Sequence, residues 1–223
     1  MIRQTLSVLR KELLVEWRDR SRISGLFFFA MAIVILMAFA SPSEGVLKQQ
    51  AGGILWIGLL LASTRSLDQS FATEMEHGAL EGLMLWPVDP RAVFYGKALA
   101  NTLVLLMVAL AIVPLLFGMY GAEVRGSIPV LLGFLVFGCA AIGAPGTLFG
   151  GIVAQARGSS VLLPLLLFPL VIPAVLAAAK GTTVVMEGDP MGQGRSWLGL
   201  LVAFNAVHWS LSGLFFGRVV EDG

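Results

Sequence analysis

Apolar residues gather along this chain in six long blocks, at 23–40, 45–64, 98–120, 128–154, 161–179 and 197–217, with the charged residues mostly between them. A helix needs about 17–25 predominantly apolar residues to cross the hydrocarbon of a bilayer, and every block reaches that length. Backbone donors and acceptors in lipid must pair within their own segment, so the blocks predict helices and not open strands. The second block carries Lys48 near its start, where a lysine stem can lie along the helix while its ammonium reaches the interface.

A different pattern precedes the first block. Ile2, Leu6, Leu9, Leu13 and Trp17 recur at spacings of 4, 3, 4 and 4, which is one face of an α-helix. Arginines and acids fill the other positions. Residues 1–22 therefore predict a basic amphipathic helix lying flat on the membrane surface, or alternatively packing on another protein, and meeting the first span at a sharp angle near 21–25. Residues 23–223 form the six-helix transmembrane domain. The expected fold is an all-α polytopic membrane protein.

Composition agrees: 57% of the residues are hydrophobic and 13% are charged, against about 25% charged in soluble domains. The net charge of +1 gives no reason to expect a nucleic-acid partner. The distribution of charge says more. Eleven of the fifteen basic residues fall at the N-terminus, in the 65–97 loop, in the fourth loop and in the tail. The positive-inside rule then puts both termini in the cytoplasm. Ala38-Phe39-Ala40 resembles a signal-peptidase site, but the apolar run is too long and Glu12, Glu16 and Asp19 precede it, so cleavage is not expected.

Candidate chemistry is sparse. A single cysteine, Cys139, excludes an internal disulfide and reads as a small core residue. HExxH, GxSxG and GxxxxGK[ST] motifs are absent, so neither enzymatic activity nor ATP hydrolysis by a P-loop of its own is expected. His208 reads as structural, and no metal site is expected. No Asp or Glu suited to proton coupling falls within the six apolar blocks. The fourth and fifth spans hold Gly143, Pro145, Gly146, Pro164, Pro169 and Pro173, which fit close helix packing with kinks, or a hinge or re-entrant segment.

The loop 65–97 has a pattern of its own. Glu74, His77 and Glu81 share one helical face; Phe71, Met75, Ala79 and Leu83 share another. Gly78 and Gly82 weaken a single long helix, so two short ones are expected, the second over 79–86. Pro87 stops it, and Asp89 caps a helix that has Pro90 at its first position and runs into the third span. Such a cytoplasmic coupling helix suits docking of a soluble partner, through Glu74, Glu76, His77, Gly78, Leu80, Glu81, Leu83, Met84 and Pro87.

Three stretches carry a family resemblance: "GGILWIGLLLASTRSLDQSF", "EHGALEGLMLWPVDPRAVFYGKALAN" and "GAPGTLFGGIVAQARGSSVLLPLLLFPLVIPAVLAAA". The loop resembles the coupling-helix region of ABC-2-type permeases. Most of the chain, from about Arg10 to the sixth span, resembles the CcmB family, the haem exporter B proteins of cytochrome c maturation. The resemblance implies a bacterial inner-membrane permease subunit, paired with a second copy of itself and with two copies of a CcmA-like ATPase that binds the ATP. It further implies CcmC-like and CcmD-like membrane partners and, indirectly, the haem chaperone CcmE, whose release from CcmC the ATP would drive. Haem would be cargo and not a directly bound cofactor. A generic ABC-2 exporter for another lipophilic substrate, or a mechanical scaffold without a cargo path, also fits these residues.

Overall fold

A computed structural model describes residues 1–18, 20–76, 89–155 and 161–221. Among them the chain forms seven α-helices and no strand: α1 (Ile2–Arg18), α2 (Ser21–Ala40), α3 (Glu44–Glu76), α4 (Pro90–Tyr120), α5 (Ile128–Gln155), α6 (Leu162–Glu187) and α7 (Gly194–Glu221). Helices α2 to α7 each hold a stretch long and apolar enough to cross a membrane. Six crossings return both chain ends to one side, which also receives the connections from α3 to α4 and from α5 to α6.

Two boundaries differ most from expectation. The second span does not end in a loop at Arg65; α3 continues as one helix to Glu76, so residues 71–76 are no separate short helix. The expected second short helix, 79–86, lies outside the described residues. The fifth span does not end at Ala179 either, because α6 runs on through Lys180 to Glu187. Hydropathy marks where lipid ends, whereas a helix ends where its last carbonyls find other partners. On α6 that partner is Gly188, in the left-handed region at φ 104°, followed by Asp189, whose N–H donates to Val184 O at 2.9 Å.

Helix α5 sits at the centre, packed against α3, α4, α6 and α7. Apolar burial does not drive helices together in lipid, so close approach and interhelical hydrogen bonds must do it. The contacts follow that rule. Gly138 of α5 lies under the indole of Trp56, and Gly181 of α6 faces the ring of Phe134. Trp56 Nε1 donates to Thr182 Oγ1 at 3.0 Å, joining α3 to α6. Tyr120 Oη donates to Val34 O at 2.6 Å, joining α4 to α2. Asn205 and Trp209 of α7 donate to the carbonyls of Phe137 and Ala140 on α5. Cys139 is buried in the same core. Outward positions such as Phe39, Leu165, Ile172 and Leu214 are apolar and exposed, as a lipid-facing surface requires.

Helices α5 and α6 pass through their prolines unbroken. Pro145 lies inside α5, and Pro169 and Pro173 lie inside α6. Pro164 falls in the first turn of α6, where a backbone N–H has no intrahelical acceptor and its loss costs little.

The Trp56–Gly138 contact has a direct test. A Cβ at Gly138 would collide with the indole, while one at Gly118 of α4 meets nothing within 4 Å. Gly138→Ala should destabilise the detergent-solubilised protein by roughly 1–3 kcal/mol, the usual cost of overpacking. Gly118→Ala should leave the thermal unfolding midpoint unchanged or slightly raised. Equal midpoints for the two variants would show that α5 does not depend on this approach.

Candidate functional site

The residues singled out in the 65–97 loop are divided by the structure. Glu74 and Glu76 lie in the last turn of α3. His77, Gly78, Leu80, Glu81, Leu83, Met84 and Pro87 lie outside the described residues. Beyond them Asp89 caps α4 as its sequence position predicts: its Oδ1 accepts from Arg91 N at 2.9 Å, and Pro90 opens the helix.

Where α3 leaves and α4 enters the bundle, the structure gathers a buried polar cluster that the sequence reading did not assemble. Its centre is Lys97, about two turns into α4 and 1% exposed. The Lys97 Nζ lies 3.3 Å from Glu12 Oε1 of α1 and 3.4 Å from Ser70 O of α3. One helical turn away Arg22, the second residue of α2, pairs with Glu16 of α1. Its guanidinium also donates to Asn101 Oδ1 at 3.4 Å and to Ser66 O at 3.5 Å. Asn101 Nδ2 passes the link to Thr147 Oγ1 of α5 at 2.9 Å, and that hydroxyl donates to Gly143 O at 2.6 Å.

The cluster has a simple periodicity. Glu12 and Glu16, Ser66 and Ser70, Lys97 and Asn101, Gly143 and Thr147 are each separated by four positions, so each pair shares a helix face. Close approach makes the bonds possible. A Cβ at Gly143 would strike Thr102 Oγ1, one at Gly146 would strike Leu67, and one at Gly96 would strike Val8 of α1. Five helices, α1 to α5, are thereby tied at one end of the bundle.

The orientation of α1 departs from the simple amphipathic picture. Its inward face is acidic, since Glu12 and Glu16 are buried. Of the expected apolar arc, Leu9 and Leu13 are half-buried, while Ile2 is 79% and Trp17 is 68% exposed. Charge explains this. Lys97 and Arg22 sit in a medium of low dielectric, where an unpaired cation is very costly, so the helix turns its carboxylates towards them. The sequence held a signal for this: a lysine and an asparagine at the mouth of a span, and two acids four apart in a helix otherwise rich in arginine. The apolar count begins at Ala98, which leaves Lys97 on the loop side of that boundary.

His208 lies well within α7, with Nδ1 2.9 Å from Phe204 O and its ring stacked on Phe204 at a centroid distance of 3.8 Å. Chemically, the cluster can fix helix ends relative to one another and carry a displacement between them.

Comparison with known proteins gives a consistent result. The model of the CcmB protein family matches residues 3–221. Heme exporter protein B of Escherichia coli K12 is 32% identical over 209 residues, covering 89% of this chain and 90% of that protein. Heme exporter protein B of Paracoccus denitrificans is 32% identical over 167 residues, covering 74% and 76%. Heme exporter protein B of Pseudomonas aeruginosa is 28% identical over 199 residues, covering 89% of each.

A double-mutant cycle tests the cluster. Glu12→Ala leaves the Lys97 ammonium buried without this carboxylate and should cost about 3–5 kcal/mol, as breaking buried ion pairs does. Lys97→Met should cost as well, while Glu12→Ala with Lys97→Met together should cost clearly less than the two singles added. Unfolding in detergent gives the three values. Strict additivity would show that the two side chains do not act as a pair.

Proposed function

Because this chain belongs to the CcmB family, we propose that it is the membrane subunit of an ABC-type complex for haem delivery in cytochrome c biogenesis. In this reading a separate CcmA-like ATPase binds and hydrolyses ATP, and this chain turns that hydrolysis into movement of membrane helices. The movement releases a haem-loaded chaperone or translocates haem. The subunit works with a second copy of itself and with CcmC-like and CcmD-like proteins, in the bacterial inner membrane with both termini in the cytoplasm. The observation that carries the reading is the family match over nearly the whole chain.

The geometry supports a coupling role at one end of the bundle. The 77–88 segment is flanked by the end of α3 and the start of α4, and both helices meet Lys97 just inside. A push on that segment reaches α1 through Glu12 and α5 through Asn101 and Thr147. Helix α1, with Ile2 and Trp17 facing outward, suits the lipid surface on the cytoplasmic side. A mechanical role without a cargo path through the chain has its own support: Trp56, Phe134, Leu59 and Ile112 fill the centre of the bundle.

Topology has a clean test. With buried Cys139 replaced by alanine, cysteines at Ser43 and Met191 should react with an impermeant reagent from the periplasmic side, and one at Gly223 should not. Met191 is exposed in the α6–α7 connection. Labelling of the Gly223 position from outside would invert the orientation.

Docking has another. An exposed ion pair contributes about 0.2–1 kcal/mol, so Glu81→Ala should weaken ATPase association only modestly. Burying a leucine contributes roughly 1.5–3 kcal/mol, so Leu83→Asp should lose most of the ATPase that co-purifies and abolish cytochrome c maturation, at unchanged membrane level. Full ATPase binding and full maturation in Leu83→Asp would remove this segment from the coupling path.

A further inference from the structure

At the end of the bundle that holds both termini, a cavity of about 460 Å³ opens between the first turn of α4 and the last turns of α7. Two kinds of surface meet in it. Arg91 of α4 and Arg218 of α7 form its charged side, and Leu211, Leu214 and Phe215 of α7 form an apolar wall. Those four α7 residues fall at i, i+3, i+4 and i+7, so a single helix face runs apolar for a full turn and then ends in a guanidinium. The three apolar side chains are about half exposed, so the wall is open to the surrounding lipid and not sealed by another helix.

That sequence of surfaces matches an amphiphile whose head is anionic. Asp89 also lines the cavity, but its Oδ1 is occupied by the Arg91 N–H, and two guanidinium groups outweigh one carboxylate. The planar fork of arginine suits phosphate oxygens better than an ammonium does. Basic pockets between membrane helices on the cytoplasmic side are where anionic headgroups bind. We propose that this cavity seats one anionic phospholipid of the cytoplasmic leaflet, with its phosphate between Arg91 and Arg218 and an acyl chain along Leu211, Leu214 and Phe215. Bound there, the lipid braces the start of α4, where the 77–88 segment ends, against the end of α7. The inference rests on the proposed orientation of the chain but not on its cargo or its ATPase.

The test uses the full chain, purified in a mild neutral detergent together with whatever subunits accompany it, and titrated by native mass spectrometry. The probes are phosphatidylglycerol, phosphatidylcholine with the same acyl chains, and inorganic phosphate. The wild type should hold phosphatidylglycerol in preference to phosphatidylcholine, and inorganic phosphate should not displace it. Arg91→Gln with Arg218→Gln should bind phosphatidylglycerol roughly thirtyfold more weakly, as expected for two basic residues at a membrane surface. Leu214→Trp keeps both charges while filling the cavity, and should weaken phosphatidylglycerol binding as well. Because both variants change outward-facing residues, either can report if the other fails to fold. Unchanged phosphatidylglycerol affinity in either variant, equal affinity of the wild type for the two lipids, or displacement by inorganic phosphate would each overturn the proposal. None of these outcomes depends on whether an ATPase or haem is involved.

Discussion

The Lys97 ammonium, almost fully removed from solvent, sets the conditions for much of this structure. A cation in that position must be surrounded by negative charge and dipoles or be expelled. It gets a carboxylate from α1 and a backbone carbonyl from α3, and both come from elsewhere in the chain. Helix α1 must therefore lie against α4 with its acids inward, and Gly96 leaves the room for it to do so. With Glu12 and Glu16 facing the bundle, Ile2, Leu6 and Trp17 face out. One buried charge thus helps to fix both the position of the N-terminal helix and the face it turns outward.

The same charge sits where a long helix leaves the bundle. Helix α3 spans Glu44–Glu76, 33 residues, or about 50 Å at ~1.5 Å per residue. The hydrocarbon layer is about 30 Å thick, so a substantial part of α3 extends beyond it. Ser70 and Ser66 contact the cationic cluster near the point of exit, while Trp56 is held between Gly138 and Thr182 deeper in the bundle. A rod fixed at two points along its length turns as a unit. Force applied beyond Ser70 would therefore act first on the polar contacts around Lys97. Both supports are costly to break: separating a buried ion pair strands a charge in a low dielectric, and moving the indole off Gly138 opens a void in a close-packed core.

The six spans could be read from sequence because lipid imposes a one-dimensional rule: enough consecutive apolar residues make a helix. The cap at Asp89 was equally legible, since Asp-Pro before a helical run has a local meaning. Boundaries at Arg65 and Ala179 were misplaced because the apolar count stops at the edge of the lipid while the backbone hydrogen bonds continue into water. Gly188 offered a better stop signal for α6 than Lys180 did. The contact of Gly138 with Trp56 was not legible, and Glu12 and Lys97, though each is conspicuous in its own segment, do not point to one another in the sequence. In both pairs the partners lie about 80 positions apart. The family resemblance, by contrast, rested on motifs in the middle of the chain, and it extends across residues 3–221.

The packed interior bears on how such a subunit would act. Trp56, Phe134, Leu59, Ile112 and Cys139 occupy the centre of the bundle without exposure to solvent. A planar lipophilic molecule could cross there only by displacing close-packed rings, which interiors of this density resist. The outward faces of α2 and α7 are the least buried of the spans and carry long rows of apolar side chains. A cargo moved by this protein would travel along such a face, bounded by lipid or by a neighbouring subunit, and its path would be completed by that neighbour. If the work is mechanical, the same arrangement serves: α3, α5 and α6 pack into one block, and the cluster around Lys97 and Arg22 ties α1, α2 and the start of α4 to it. On either reading, a displacement at the Lys97 end of the bundle would reach α1, α3 and α5 through the same polar cluster.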